Sequence, residues 1–265
     1  MRARRRFGQH FLQPEWAAKV LAAIDPQPGD LFLEIGPGTG ALTLPLAARA
    51  GRVVAVEIDR DLASELGRRV PPNAHIVQGD LLDVDLPSLV PREAARVRVA
   101  GNLPYNVSSP ILRRLFALHD ADVRMTDATL MLQREVAARL AARPGTREYG
   151  VLTVLTARHA RVEALLHLPP GAFRPAPKVH SSLIRLQFRA SGDHLVLPLR
   201  FEALVQAAFG QRRKRLSNAL RRFAEAEGTS AAAALARAGI DPARRPETLT
   251  LAEFAALAGA FETAP

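Results

Sequence analysis

Short apolar runs alternate with helical segments between residues 31 and 132, and this alternation is the feature that most constrains the fold. Parallel strands joined by helices bury both faces of their sheet, so each strand reads as a continuous apolar run. The pattern therefore predicts an α/β fold with a mostly parallel sheet. The predicted strands are Leu31–Ile35, Val53–Ile58, Ala74–Val77, Val97–Ala100 and Ala128–Leu132, with helices over Ala41–Ala50, over Asp61–Val70 and from Ser108 onward.

The segments on either side complete the predicted domain organisation. Residues 1–13 are predicted to form an irregular basic arm, and Pro14–Ile24 a helix with proline in its first turn. Strands over Arg161–Leu166 and Leu183–Phe188 are expected to complete one edge of the sheet. After residue 190 the apolar spacing becomes helical, which predicts a first domain over 1–190 and a small all-helical domain over 191–265. The helices expected there are Phe201–Gly210, a stripe carrying Leu216, Leu220 and Phe223, Ser230–Ala238 and Leu251–Phe261.

The composition excludes some classes of protein. The chain has no cysteine, so disulfides and thiolate metal sites are excluded, and no metal is expected. No charge-free apolar stretch has the length of a membrane span, and no apolar signal core follows the basic start, so a cytoplasmic protein is expected. The net charge of +10 favours a polyanionic partner such as nucleic acid. Nearly all of this basic charge is arginine.

A glycine-rich loop follows the first predicted strand of the sheet. Gly36, Gly38 and Gly40 let the backbone approach a ligand closely at the start of a helix. Glu57, at the end of the next strand, can accept hydrogen bonds from both hydroxyls of a ribose. Asp80, after the third strand, can accept from an adenine amino group. Dinucleotide binding is an alternative interpretation of this loop, although its usual G-x-G-x-x-G spacing differs.

A rigid polar and aromatic corner, Asn102-Leu103-Pro104-Tyr105, follows the fourth predicted strand. The Asn102 side-chain oxygen and the Leu103 carbonyl can accept both hydrogens of an adenine N6 amine, which would aim the nitrogen lone pair at an electrophile. Pro104 stiffens the loop, and Tyr105 can stack on the base. An enzyme of hydride transfer does not need an asparagine and a tyrosine at this position, so the corner favours chemistry on an exocyclic amine.

The electrophile that would react with this amine must be strong, because the lone pair of N6 is delocalised into the ring. A sulfonium methyl donor meets that need without a metal, and in-line transfer then depends mainly on positioning. The target base would have to leave its stack to reach the site.

Several motifs, in order along most of the chain, carry a resemblance to a known family. The sequence resembles the small-subunit (16S) ribosomal RNA adenine N6,N6-dimethyltransferases, which implies a Rossmann-like methyltransferase fold. It also implies S-adenosylmethionine (SAM) as donor, two adjacent adenines in the 3′-terminal hairpin of 16S rRNA as targets, and a pre-30S particle as substrate. The matching segments are Arg6–Leu12, Glu34–Thr43, Glu57–Asp59, Gly79–Asp80, Asn102–Asn106, Leu132–Val136, Phe173–Val179 and Phe209–Lys214.

The resemblance also implies roles for individual residues. Phe173 would stack on the target adenine opposite Tyr105, and together with Asn102 and Leu103 they form the expected catalytic set. Two positions depart from the family pattern, because His10 stands where asparagine is usual and His180 where an acid is usual; no catalytic role is assigned to His180. The residues expected to contact SAM are Gln9, His10, Leu12, Gly36, Gly38, Glu57, Ile58, Asp80, Leu81 and Asn102.

Two basic runs are expected to contact RNA phosphates, one in the N-terminal arm and one at the start of a C-terminal helix. Two other functions remain open at this point: a 23S rRNA adenine methylase of the macrolide-resistance type, and a non-catalytic RNA-binding assembly factor. A monomer is expected. The predicted RNA-binding residues are Arg4, Arg5, Arg6, Arg212, Arg213, Lys214 and Arg215.

Overall fold

The computed structural model describes residues 9–90, 96–121, 123–190 and 197–262. The predicted RNA contacts of Arg4, Arg5 and Arg6 lie outside these residues. Contacts divide the chain into two compact units, one formed by Met1–Ala137 with Ala160–Gly192 and the other by Ala138–His159 with Asp193–Pro265. The second unit thus includes residues 138–159, which the sequence pattern placed in the first domain.

The first unit contains a seven-stranded sheet in the order β4-β3-β2-β5-β6-β9-β7. The first five of these strands run parallel, and β9 pairs antiparallel with both β6 and β7. As the sequence predicts, β9 and β7 complete one edge of the sheet. Two short strands, β1 and β8, form a separate antiparallel pair. The strands are β1 Phe11–Leu12, β2 Leu31–Ile35, β3 Arg52–Glu57, β4 Ala74–Gln78, β5 Val97–Asn102, β6 Met125–Gln133, β7 Ala160–Leu168, β8 Phe173–Arg174 and β9 Ser181–Phe188.

The helices of this unit follow the predicted alternation. Helix α1 begins and ends as predicted, while α2 is shorter than the predicted Ala41–Ala50, because the residues after the glycine loop form turns before the helix begins. Pro45 falls in the first turn of α2, where its missing N–H is not needed. The helices are α1 Pro14–Ile24, α2 Thr43–Ala47, α3 Arg60–Gly67, α4 Leu86–Leu89 and α5 Ser108–Asp120.

A buried arginine ties the sheet to the end of α1. Arg98, on β5, is 4% exposed and contacts two carboxylates, Asp30 at 2.8 Å and Asp127 at 3.0 Å. Its guanidinium also donates to the carbonyls of Ile24 and Asp25, at 2.6 and 2.9 Å, at the helix end where main-chain carbonyls lose their helical partners. A charge can occupy this apolar strand because almost every donor of the guanidinium is satisfied.

Helices make up the second unit, and aromatic side chains form much of its interior. Tyr149 explains why residues 138–159 belong here: its hydroxyl donates to the Leu249 carbonyl at 2.7 Å, and its ring packs against Phe209, which in turn contacts Phe254. Two helices of the chain, α6 Arg134–Leu140 and α7 Val151–His159, were not predicted. The others are α8 Phe201–Gly210, α9 Leu216–Ala219, α10 Arg221–Ala226, α11 Ala231–Arg237 and α12 Leu251–Glu262.

The basic run of the second unit departs from its prediction. Arg212, Arg213, Lys214 and Arg215 do not start a helix; they form the turn between α8 and α9. The physical reason is local, since α8 ends at Gly210 and the backbone at Arg215 is extended, with φ −65° and ψ 152°. The stripe through Leu216, predicted as one helix, is likewise divided into α9 and α10. In the part of the chain that the structure describes, no helix has the length and apolar character needed to cross a membrane.

We predict that Arg98→Met destabilises the protein by about 3–5 kcal/mol, because it leaves two buried carboxylates without their partner. The free energy of unfolding from urea denaturation, followed by circular dichroism, measures this. Arg96→Met is the matched control, since the Arg96 side chain is 54% exposed and lies 3.9 Å from the same Asp30. It should cost less than about 1 kcal/mol. Equal losses in the two variants would contradict the role assigned to Arg98.

Candidate active site

A single pocket opens at the carboxyl ends of β2, β3 and β5, where open α/β sheets bind their ligands. The segment 9–12 and the residues that follow β5 form the rest of its wall. The structure thus brings together most of the residues predicted for the site. Those that line the pocket are Gln9, His10, Leu12, Gly36, Gly38, Glu57, Ile58, Asn102, Leu103 and Tyr105.

The glycine loop is held against both the sheet and the segment 9–12. The Gly38 amide donates to Glu57 Oε2 at 2.9 Å, so the loop and the end of β3 are joined directly. Gly38 has a φ of +59°, and a Cβ built there would lie 3.2 Å from the Phe11 ring. Both the backbone angle and the close approach of Phe11 therefore favour glycine at this position.

Glu57 is 4% exposed and is positioned by two backbone amides. Oε1 accepts from the Asp59 amide at 2.9 Å, and Oε2 accepts from Gly38. Burial raises the pKa of Glu57, the two amide hydrogen bonds oppose this, and the nearby Asp59 charge adds to it. A carboxylate has about four acceptor positions, so Glu57 retains the capacity to accept from ribose hydroxyls. Next to it, Ile58 is 40% exposed and gives the pocket an apolar surface.

Glu34 is a second buried acid in this pocket, at the end region of β2. It is 2% exposed, and its Oε2 has no hydrogen-bond partner among the described residues. Burial raises the pKa of Glu34 to about 8. The nearby Thr43 hydroxyl lowers this pKa in part, although it does not reach hydrogen-bond geometry, and the charge of Glu57 raises the pKa further. Glu34 is therefore largely protonated at pH 7 in this structure.

The Asn102 side chain has a fixed orientation. Its Nδ2 donates to the His10 carbonyl at 2.7 Å, and since a carbonyl can only accept, the amide must direct its NH₂ group there. The Asn102 Oδ1 atom is then left as an acceptor with no partner among the described residues. The Leu103 amide donates to Met131 on β6 at 3.2 Å, which holds the corner against the neighbouring strand.

Tyr105 and His10 contact each other across the pocket. Their ring centroids lie 5.6 Å apart with an interplanar angle of 25°, so one face of Tyr105 is covered by the imidazole. His10 Nδ1 lies 2.7 Å from the Pro175 carbonyl and must carry a hydrogen to donate to it. The Tyr105 hydroxyl lies 2.6 Å from Ser181 Oγ, and burial raises its pKa, with that hydrogen bond opposing the shift. Tyr105 is therefore a neutral platform at physiological pH.

Some predicted residues are not part of the pocket lining. Asp80 and Leu81 follow β4, where Asp80 Oδ1 accepts from the Leu82 amide at 2.9 Å. Phe173 is 3% exposed and packs in the apolar core beside its strand partner Leu12. Phe173 lines a neighbouring groove with Trp16 and is not among the residues that line the pocket of Tyr105. His180 is exposed, and the structure shows no contact of its side chain with the pocket.

The sequence interpretation missed two residues that matter at this site. Ser181, at the start of β9, holds the Tyr105 hydroxyl, and no local pattern marks it because its partner is 76 residues away. Glu34 can be recognised in the sequence as a charged residue inside an apolar run, shortly before the glycine loop. An acid in a strand that is buried on both faces needs an explanation, and here the pocket supplies one.

The second unit presents the predicted basic run on its own surface. Arg213, Lys214 and Arg215 are exposed, whereas Arg212 is half-buried and donates to the Thr146 carbonyl at 3.1 Å. Exposed Arg221 and Arg222 of α10 join Lys214 around a small polar depression that also includes Asn218. Several cations and an amide therefore converge on one concave surface, which is suited to anionic groups.

Comparison with known proteins gives a consistent result over nearly the whole chain. A sequence model of the family described as "Ribosomal RNA adenine dimethylase" matches residues 1–261. The "Ribosomal RNA small subunit methyltransferase A" of Aromatoleum aromaticum is 45% identical over 263 residues, covering 97% of this chain and 93% of that protein. The protein of the same name from Anaeromyxobacter dehalogenans is 45% identical over 266 residues, with the same coverage.

Solved structures agree with these relatives. A dimethyladenosine transferase from Plasmodium falciparum has a TM-score of 0.76 at 24% identity, covering 94% of this chain and 96% of that chain, which shows the common fold. The 23S rRNA methyltransferase ErmE has a TM-score of 0.67 at 28% identity, covering 96% and 100%. The α/β methyltransferase fold expected from the sequence is confirmed, and this chain belongs to the ribosomal RNA adenine dimethylase family.

Proposed function

We propose that this protein transfers methyl groups from SAM to N6 of two adjacent adenines in the 3′-terminal hairpin of 16S rRNA, within pre-30S particles. The product would be N6,N6-dimethyladenosine, made during assembly of the small subunit in the cytoplasm. The observation that supports the proposal is the fixed amide of Asn102, a residue that lines the pocket and whose oxygen has no partner among the described residues. The names of the relatives at 45% identity favour the small subunit as the substrate.

The residues of the pocket fit the proposed donor. Glu57 can accept from ribose hydroxyls, Ile58 offers an apolar surface for the adenine ring, and the glycine loop leaves room for close approach of the backbone. Asp80, one strand further along, is proposed to accept from the adenine amino group of the donor. SAM supplies the electrophilic methyl group, and no metal is needed for this transfer.

The proposed role of the protein in methyl transfer is to position the target base. Asn102 Oδ1 and the Leu103 carbonyl would accept the two N6 hydrogens and so direct the nitrogen lone pair toward the donor. The amide is neutral, so it can accept these hydrogen bonds without removing a proton beforehand. Its orientation is fixed before substrate arrives, since Nδ2 is held by the His10 carbonyl. Such preorganisation lowers the cost of reaching a reactive geometry.

The base would stack on Tyr105, and the position of His10 restricts which face of the Tyr105 ring is open to it. One face of Tyr105 is covered by the imidazole, so the base either uses the opposite face or displaces His10. Phe173 remains proposed as the second stacking partner, and it would have to turn from the packing described above. The main-chain carbonyl of His10 can hold Asn102 in either case.

Binding of the rRNA is proposed to use the basic run Arg212–Arg215 and the N-terminal arm. The exposed arginines would contact phosphates and set the register of the RNA without reading its sequence. A monomer is proposed, because one chain carries both the catalytic pocket and a basic surface.

Two other functions are weighed against this one. Methylation of 23S rRNA has support from the likeness to ErmE, but identity to that protein is 28%, against 45% to the small-subunit relatives. A purely structural assembly factor would not need the pocket, although binding to the particle and methyl transfer can coexist in one protein.

Mass spectrometry of rRNA from cells with and without this protein tests the proposal. We expect N6,N6-dimethyladenosine at the two adjacent positions near the 3′ end of 16S rRNA only when the protein is present, with 23S rRNA unchanged. A modified adenine in 23S rRNA, or monomethyl product alone, would contradict the proposed reaction.

Replacing Asn102 separates binding from chemistry. Asn102→Ala should lower methyl transfer by about 100-fold or more, because the acceptor that positions N6 is lost. Binding of the variant to immature 30S particles should remain close to that of the parent protein. Scintillation counting of labelled methyl groups measures the first effect and co-sedimentation the second. Activity within about threefold of the parent protein would defeat the role of Asn102.

The RNA contacts predict a steep salt dependence. Affinity for immature 30S particles should fall by at least about 10-fold between about 50 and 200 mM salt, because each phosphate contact releases counterions. Arg213→Gln with Arg215→Gln should lower affinity and make this slope shallower by about two units on a log–log plot. The matched control is Arg60→Gln with Arg68→Gln, which removes the same charge from exposed positions on and after α3. An identical slope in both double variants would contradict the proposed contact surface.

A further inference from the structure

A groove beside the active-site pocket combines aromatic and basic side chains. It lies between the start of α1 and the segment 171–176, and we call it the Trp16 groove after the partly exposed tryptophan in its wall. Phe11 and Thr39 line both this groove and the pocket, so the two are direct neighbours. The groove has a volume of about 1220 Å³. Sites for drug-sized molecules have about 300–1,000 Å³, so a nucleotide fits into a groove of this size.

The pairing of β1 with β8 fixes which side chains reach the groove. Phe11 pairs with Arg174, and Leu12 pairs with Phe173. Because cross-strand partners lie on the same face of a strand pair, Phe11 and Arg174 share one face and the other pair shares the opposite face. Leu12 and Phe173 are buried in the apolar core, whereas Phe11 is partly exposed and Arg174 is exposed. The strand pair therefore places an aromatic ring and a guanidinium together beside the groove.

The charges around the groove favour an anionic ligand. Arg174 lines the groove, and the Lys19 ammonium lies 4.3 Å from the centroid of the Trp16 ring. Glu15 is the only acid among the described residues that line the groove, and its place in the first turn of α1 is one where an acid stabilises a helix. A nucleotide matches this set, since its base can stack on the aromatic rings and its phosphate can pair with the cations.

The contact of Lys19 with Trp16 leaves the ring available to a base. Lys19 is exposed, so its side chain can move without losing buried surface. A cation–π contact at an exposed site is weaker than a base–aromatic stack, so a base can replace the ammonium on the ring. The released ammonium can then pair with a phosphate of the same strand.

We propose that the Trp16 groove binds a nucleotide of the substrate RNA next to the target adenine, with the base stacked on Trp16 and Arg174 in contact with the adjoining phosphate. This inference rests on the proposed function in taking RNA as the substrate, and it adds a second base subsite to the pocket that receives the target. One strand can occupy both sites because Phe11 and Thr39 line both. Stacking tolerates any base, so the subsite holds the strand without reading its sequence.

Residues 1–8 of this chain are the competing occupant of the groove, since they directly precede the segment 9–12. They carry four arginines and no acid. Arg174 and Lys19 would repel such a segment, whereas they attract a polyanion. The charge of the groove therefore favours RNA over the chain's own N-terminal arm.

Fluorescence tests the inference directly, because Trp16 is the only tryptophan of the chain. Titration of the full chain with oligoadenylate, a single-stranded RNA, should quench the Trp16 emission, since a stacked base quenches an indole. Inorganic polyphosphate carries phosphates without bases and should leave the emission nearly unchanged. No quenching at any concentration of oligoadenylate, or equal quenching by the two polyanions, would overturn the proposal.

Substitution of Trp16 measures what the groove contributes to binding of the natural substrate. Trp16→Leu should lower affinity for immature 30S particles roughly 10-fold in a co-sedimentation assay, because the stack is lost. Trp16→Phe keeps an aromatic face and should stay within about threefold of the parent protein. Both variants should bind SAM as the parent does, which shows that they are folded. Particle affinity in Trp16→Leu equal to that of the parent would overturn the proposal, and it is the result expected if residues 1–8 cover the groove.

Substitution of Arg174 tests the phosphate contact. Arg174→Gln should lower affinity for the particles and make its salt dependence shallower by about one unit on a log–log plot. Arg68→Gln is the matched control, since it removes the same charge from an exposed position after α3. The same slope in both variants would contradict the contact of Arg174 with RNA.

The outcome can be separated from that of the proposed function. Trp16→Leu that binds particles as the parent does, in cells where 16S rRNA is dimethylated, refutes the role of the groove alone. Modification of 23S rRNA in place of 16S rRNA refutes the proposed target, while quenching by oligoadenylate would still support a nucleotide subsite at Trp16.

Discussion

The parallel pairing of β2 with β5 is the constraint on which the rest of the site depends. Ile35 pairs with Gly101, so the glycine loop and Asn102 leave the sheet side by side. The contact is close: a Cβ added at Gly101 would lie 2.7 Å from the Ile35 carbonyl oxygen. A larger residue there would push the strands apart and move Asn102 away from the loop. Donor and target base can share one pocket because these two strands are adjacent.

The pocket contains two buried acids whose hydrogen bonds differ. Two buried acids, Glu34 and Glu57, stand at neighbouring strand ends, and the sheet holds them where their charges repel. Glu57 is stabilised by backbone amides and can remain charged, whereas Glu34 lacks such support. Two identical side chains therefore differ in how strongly their surroundings favour the charged form, because they receive different hydrogen bonds.

Much of the fold could be predicted because the parallel strands are continuous apolar runs and α1 has proline in its first turn. The helices α6 and α7 were missed, and so was the grouping of residues 138–159 with the second unit, which depends on contacts of Tyr149 with Leu249 and Phe209 far along the chain. The residues at the strand ends that form the site could be predicted from the alternation of apolar runs and helical segments alone. The orientation of Asn102 could not, because it depends on the carbonyl of His10, 92 residues earlier.

The central claim is that one pocket at these strand ends holds the donor beside a preoriented Asn102. A crystal structure with SAM bound tests it most directly. The account predicts ribose hydroxyls within hydrogen-bond distance of Glu57, the methyl group directed toward the space in front of Asn102 Oδ1, and Nδ2 still bound to the His10 carbonyl. Donor bound elsewhere, or an Asn102 amide turned so that its oxygen faces away from the methyl group, would contradict it.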